Sequence, residues 1–182
     1  MKKFIFNNET EGIYPLTLQI TDYIKSIAAR FIDDDLSFRI RTILIELLTN
    51  SLKHHSDHVT HIEVSLKNNQ LLLKKLDKGL PLQIKTRHDL LKWPLPVELL
   101  DKSEIAVYGD DFGTLKGRLK SSNKLEFYTE DIDLQYVDRE VINGLNEHYG
   151  LMIITRASDM FNYEYKPETG ANNFTSIIQL GN

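Results

Sequence analysis

The stretch from Val59 to Leu76 constrains the fold more than any other part of the chain. Ile62, Val64 and Leu66 alternate with His61, Glu63 and Ser65, the two-residue period of a half-buried strand. Asn68-Asn69 follows, and asparagine tolerates the positive φ that a tight hairpin turn demands. Leu71 to Leu76 reads as the partner strand. Asp77-Lys78-Gly79-Leu80-Pro81 must then leave the sheet as a loop. A hairpin with one apolar face has to be covered by a second layer.

Two helical segments precede it and can supply that cover. In Tyr14 to Phe31, Leu16, Ile20, Ile24, Ile27 and Phe31 recur at helical spacing. Asp33-Asp34-Asp35 breaks the pattern, and Ser37 is the expected N-cap of a second helix from Phe38 to His55. Ile40, Ile43, Leu44, Leu47 and Leu48 give this helix a broad apolar face. Lys3 to Phe6 suits a short strand. Beyond His148, Leu151, Ile154 and Ala157 fit a helix ending near Asp159, followed by a strand at Phe161–Tyr165, a Pro167–Gly170 turn and a last strand at Phe174–Leu180.

Between Leu82 and Glu147 the pattern is irregular, punctuated by Pro94, Pro96, Gly109, Gly113, Gly117 and Gly144. Short helices are expected near Arg87–Lys92 and Val97–Lys102, and a hairpin around Ser121-Ser122-Asn123. The order of elements predicts an α+β fold. We expect a two-layer α/β sandwich, with a mostly antiparallel sheet of hairpins backed by helices on one face. Residues 1–182 form one expected domain, with 82–147 as a long insertion.

Composition narrows the chemistry. The chain has no cysteine, which excludes disulfides, thiolate catalysis and cysteine-bound zinc. A formal net charge of -4 without a long basic stripe argues against a nucleic-acid binder. The apolar run at the start stops at Asn7-Asn8-Glu9, too short for an export segment, and no stretch is long enough to span a bilayer. A cytoplasmic location without membrane attachment is expected.

The second helix carries a polar stripe opposite its apolar face: Arg39, Thr42, Glu46, Asn50 and Lys53. By itself it reads equally well as a solvated face. Three further segments give it context. Glu46-Leu47-Leu48-Thr49-Asn50-Ser51-Leu52-Lys53-His54 is followed by the hairpin, then by Asp77-Lys78-Gly79, then by Tyr149-Gly150-Leu151-Met152-Ile153-Ile154. Together they resemble the histidine-kinase-like ATPase superfamily, which groups gyrase B, heat-shock chaperone ATPases, histidine kinases, mismatch-repair ATPases and anti-sigma-factor serine kinases. The resemblance runs from about Tyr14 to Leu180, apart from the insertion.

What the resemblance implies suits the residue types. Asn50 would be a ligand of Mg²⁺, which takes oxygen ligands and keeps several waters. Glu46, one turn away, would orient or deprotonate a nucleophile. Lys53 would neutralise phosphate charge. Asp77 would accept a hydrogen bond from the adenine amino group, and Gly79 would allow close backbone approach. Gly150 and Leu151 open a helix whose free N–H groups favour phosphate oxygens. Thr175 would be a substitute contact near the last strand, and 82–147 an enlarged ATP lid.

The chain departs from the family pattern at three places. Pro81 stands where the second motif has its second glycine, and His148 replaces the first glycine of the third. Asn173-Phe174 lies where a glycine-threonine pair precedes the last strand.

As a stand-alone module with no histidine in the helix before Glu46, the chain looks most like the anti-sigma serine kinases. The expectation is a cytoplasmic regulatory domain that binds ATP and Mg²⁺ and contacts a protein partner, sigma-factor-like or antagonist, with serine phosphorylation as its candidate reaction. A homodimer is one assembly left open. The alternatives are a non-catalytic interaction module of the same fold that has lost ATP, and a detached histidine-kinase catalytic domain.

Three other motifs carry less. His54, His55, Asp57, His58 and His61 have metal-ligand residue types, but the segment crosses a helix end and a strand start, so the rings need not converge. Asp111-Phe112-Gly113 imitates a protein-kinase signature without its companion motifs. Trp93 reads as a packed anchor of the insertion, with a contact patch as the alternative.

Overall fold

The computed structural model describes residues 1–53, 59–85, 90–101, 103–110, 113–131 and 148–181. Its centre is an eight-stranded sheet in the order β1-β2-β3-β10-β9-β8-β7-β6, with every neighbouring pair antiparallel. The left half comprises β1 (Lys2–Phe6), β2 (Thr60–Lys67) and β3 (Gln70–Asp77). β9 (Met160–Lys166) and β10 (Ala171–Gln179) fill the middle, and β6 (Glu104–Asp110), β7 (Gly113–Ser121) and β8 (Lys124–Glu130) complete the right half. A separate pair, β4 (Gln83–Lys85) and β5 (Leu90–Lys92), lies between β3 and β6 in the chain. The described helices are α1 (Ile13–Ala28), α2 (Asp34–Lys53) and α3 (Tyr149–Ala157). None is long and apolar enough to cross a membrane.

This is the α+β two-layer sandwich that the patterning predicts. Inward positions of β2 and β3 are buried alternately, and the apolar stripes of α1, α2 and α3 join the same core through Ile20, Ile24, Ile43, Leu44, Leu47 and Ile154. The β2–β3 turn rests on Asn68 and Asn69 at φ 51° and 57°, the positive pair of a two-residue hairpin whose twist matches its strands. Phe161, itself fully buried, stacks on both Phe127 and Phe174, tying β8 to the centre of the sheet.

Two local readings are corrected. α2 starts at Asp34, not after Ser37: the Asp33 carboxylate accepts the Leu36 N–H at 2.7 Å, while Ser37 lies inside the helix. Asp34 and Asp35 do not break the helix but sit in its first turn, where the helix dipole favours acids. Leu90–Lys92 is a strand rather than helix, with Arg87 to Asp89 outside the described residues. The turn at Val97–Asp101 is a short 3-10 helix, and the hairpin around Ser122-Asn123 joins β7 to β8.

The irregular pattern of 82–147 conceals three strands that continue the main sheet. In β7 the inward positions alternate Gly113, Leu115, Gly117, so the apolar signal halves. Gly117 is small for a reason: a Cβ there would lie 2.6 Å from Leu125 Cδ1 and 3.0 Å from its Cγ, and Leu125 is itself buried. Gly117→Ala is therefore expected to cost about 1–3 kcal/mol through overpacking, against a gain of a few tenths from strand propensity. Urea denaturation checks this, and unchanged stability would mean that Leu125 has room to move.

Candidate functional site

α2 and α3 pack antiparallel, and the polar stripe of α2 runs along their contact instead of facing solvent throughout. At one end, Arg39 Nε donates to the Ala157 carbonyl at 2.9 Å and its Nη2 pairs with Asp159 at 3.0 Å. A cation there satisfies the last carbonyls of α3 and matches its dipole. At the other end the stripe meets Gly150. A Cβ added to Gly150 would lie 2.6 Å from Glu46 Oε2, and 3.4 and 3.5 Å from Asn50 Oδ1 and Nδ2. Glycine is the residue that lets the start of α3 lie directly on these two side chains.

The Glu46 and Asn50 side chains are half-buried, and neither makes a hydrogen bond among the described residues. Burial raises the Glu46 carboxyl above its ordinary range, opposed by the charge of Lys53. Lys53 is exposed in the last turn of α2.

The start of α3 has an uncommon shape. His148 is its N-cap at φ 82°, in the left-handed conformation, without a side-chain cap bond. A non-glycine residue there costs about 1–2 kcal/mol, so the backbone keeps what glycine would supply while the residue differs. The amides of Leu151 and Met152 both donate to the His148 carbonyl, at 2.9 and 3.3 Å. Leu151, expected to offer its N–H to phosphate, has thus committed it. Among the described residues, the amides of Tyr149 and Gly150 are the two in this turn that take no such bond. The Tyr149 ring is exposed and lies 5.6 Å from that of Tyr108 on β6.

Asp77 ends β3 opposite Asn172 of β10. Its Oδ1 accepts the Gly79 N–H and the Asn172 amide, both at 2.9 Å, and its Oδ2 pairs with Lys75 Nζ at 2.9 Å. The Lys75 side chain is only 4% exposed and also lies 5.0 Å from the Phe174 ring. Burial by itself would raise the Asp77 carboxyl. Lys75, the Asn172 amide and the Gly79 N–H together outweigh it and hold the group below its ordinary range. A carboxylate has about four acceptor directions, so a further donor finds room for one bond.

Both centres are directed toward one end of the sheet. β9 starts at Met160, opposite Ile177, at the end of the sheet away from Asn172 and Asp77. α3 precedes β9, so its N-terminus, about 13 Å back along the helix axis, points toward the Asp77 end. β2 likewise begins beside the end of β3, and α2 leads into it.

Thr175 stands apart. Its register neighbours are Lys74 and Asn162, and alternation sets it on the sheet face opposite Phe174, Asp77 and the helices. His54, His55, Asp57 and His58 lie outside the described residues, as do Asp111 and Phe112. Among the described residues no group of three or more His, Asp and Glu converges as a metal site. Asn50 as a metal ligand would therefore rely on phosphate oxygens and water for the rest of its shell.

Sequence reading missed Lys75, Tyr163 and Asn172. A signal was present for the first: Leu71, Leu73, Lys75 and Asp77 occupy successive inward positions of β3, and a lysine on a buried strand face needs a counter-charge.

Compared with known proteins, the sequence matches no family model and no curated protein.

Proposed function

We propose that the chain is a cytoplasmic ATP-binding regulatory domain of the histidine-kinase-like ATPase type, closest in layout to anti-sigma serine kinases. One observation carries the reading: the Glu46 and Asn50 side chains, without hydrogen-bond partners among the described residues, meet Gly150 at the N-terminus of a helix whose Tyr149 and Gly150 amides take no backbone bond among those residues. A carboxylate, a neutral amide oxygen and helix N–H groups are what a Mg·triphosphate requires: a base, a metal ligand and oxygen donors. Asp77 and Gly79 would meet the purine, and Lys53 would add charge near the phosphates. Glu46, raised in pKa by burial, is suited to accept a proton from a serine hydroxyl of a protein partner or from water.

A second reading has its own observation. The Lys75–Asp77 ion pair already engages the carboxylate that should read adenine, and the Leu151 amide is committed. Both favour an interaction module that keeps the sandwich and has lost the nucleotide. Asn50→Ala separates the two. The ATP reading expects Mg·ATP to bind the parent with micromolar affinity and the variant at least tenfold more weakly. Equal binding would remove Asn50 from the site, and no binding at millimolar nucleotide would favour the second reading. Acid-labile phosphate on a partner, in place of acid-stable phosphoserine, would point to a detached histidine-kinase domain.

Gly150→Ala is a further test. The clash falls on the far end of a flexible Glu46 side chain, so stability should stay within about 1 kcal/mol of the parent, helped by helix propensity. Glu46 has to swing away, and any phosphate transfer should drop by at least tenfold. Thermal melts and a transfer assay check this, and full activity in the variant would show that Glu46 needs no contact with this turn.

A further inference from the structure

Between Asp77 and Trp93 runs an unbroken series of hydrogen bonds. The two N–H groups of the Asn172 amide are shared among three acceptors, Asp77 Oδ1 at 2.9 Å, the Gly79 carbonyl at 3.0 Å and the Leu80 carbonyl at 3.3 Å. Asn172 Oδ1 accepts the Tyr163 hydroxyl at 2.7 Å, and the Tyr163 oxygen accepts the Leu82 N–H at 3.0 Å. The Leu82 carbonyl in turn accepts the backbone N–H of Trp93 at 3.2 Å, and the Trp93 ring stands edge-on to Tyr163 at 5.8 Å. Asn172, Tyr163 and Trp93 are all at least 97% buried.

We infer that Tyr163 and Asn172 are positioning residues, through which the β4–β5 insertion holds the 78–82 loop and the Asp77 carboxylate in one arrangement. In apolar surroundings, opening one link leaves the next donor or acceptor unpaired, so the links shift together. A protein that moves β4–β5 thereby changes the surroundings of Asp77, and a ligand donating to Asp77 changes the seating of Trp93. The inference deepens the proposed function and rests on it only for the identity of that ligand.

Two variants of the full chain test it. Tyr163→Phe keeps the ring against Trp93 and Phe174 but deletes the hydroxyl. Trp93→Phe loosens the insertion without touching Asp77. In both, hydrogen exchange at the Leu82 amide should accelerate about fivefold to tenfold. The Asp77 carboxyl, followed by ¹³C NMR, should titrate at higher pH because the Asn172 donor is less firmly held. A merely structural role for these residues would not move that titration, and an Asp77 curve unchanged in both variants overturns the inference.

Mg·ATP is the probe for the reverse direction, read by the emission of Trp93, the sole tryptophan. Binding with altered emission and slower Leu82 exchange supports the coupling. Binding with neither change refutes it and leaves the nucleotide reading intact. If no nucleotide binds but Trp93→Phe still shifts the Asp77 titration, the coupling holds and the nucleotide reading falls.

Discussion

Asp77→Asn should destabilise the protein by about 3–5 kcal/mol, because it strands the Lys75 ammonium in the core without a counter-charge. That is a large part of the roughly 5–15 kcal/mol that holds an ordinary domain together. The reverse deletion should cost less. In Lys75→Met the Asp77 carboxylate keeps the Gly79 and Asn172 hydrogen bonds, and its side chain is 17% exposed against 4% for Lys75. The double variant Lys75→Met, Asp77→Asn should recover most of the loss, since a buried ion pair replaced as a unit is often neutral. Urea denaturation of the four proteins reads the cycle. If Asp77→Asn melts like the parent, the pair carries no net stabilisation.

The same pair sets a pH dependence. Asp77 is held below its ordinary range in the folded state, so its contribution is present above the unfolded pKa and fades as pH falls through the depressed folded value. Acid unfolding should therefore begin at higher pH in Lys75→Met than in the parent. Because Asp77→Asn weakens the fold as well as the proposed adenine contact, lost nucleotide binding in that variant would say little about adenine.

Glu46→Gln should do the opposite, sparing the fold and stopping the proposed phosphate transfer. Burial raises the Glu46 carboxyl, so its contribution to stability is full below the unfolded pKa and is lost as pH rises through the folded value. At neutral pH the glutamine isostere should be as stable as the parent or slightly more so. Phosphate transfer or hydrolysis, if Glu46 is the base, should fall by about 10²–10⁴-fold. The parent's rate should climb with pH as the carboxyl ionises, with a midpoint above that of an ordinary glutamate, and the variant should show no such limb. A transfer assay across pH, run beside thermal melts, separates these effects. A Glu46→Gln protein that retains the parent rate and pH profile would end the general-base assignment.

How far the sequence reveals this molecule depends on which physical signal each residue leaves. Asn68-Asn69 between alternating strands specifies a hairpin because few residues accept its backbone, and the φ values agree. The apolar stripes of α1 and α2 fix their buried faces for the same periodic reason. The strands of 104–130 stay hidden because Gly113 and Gly117 take inward positions that Leu125, Met152 and Arg156 crowd from outside the strand. That fit is tertiary, and composition registers only glycine. Ser37 draws attention as a cap, yet Asp33 is the side chain that reaches a free amide.

At the site, the Glu46-to-Asn50 spacing is local and readable, and Gly150 meets both. The commitments of Asp77 are not local. They come from Lys75 on the same strand and from Asn172, 95 residues away, paired by sheet register. Thr175 falls on the sheet face opposite Asp77 and the helices because one step along a strand reverses the side chain.

In the function proposed above, Asn50, Gly150 and Gly79 border one nucleotide site. Amide chemical-shift mapping of the full chain, titrated with a nonhydrolysable ATP analogue and Mg²⁺, tests it most directly. The amides of Asn50, Gly79, Tyr149 and Gly150 should shift along a common micromolar binding curve that depends on Mg²⁺. Shifts confined to other residues, or none at millimolar analogue, would contradict it.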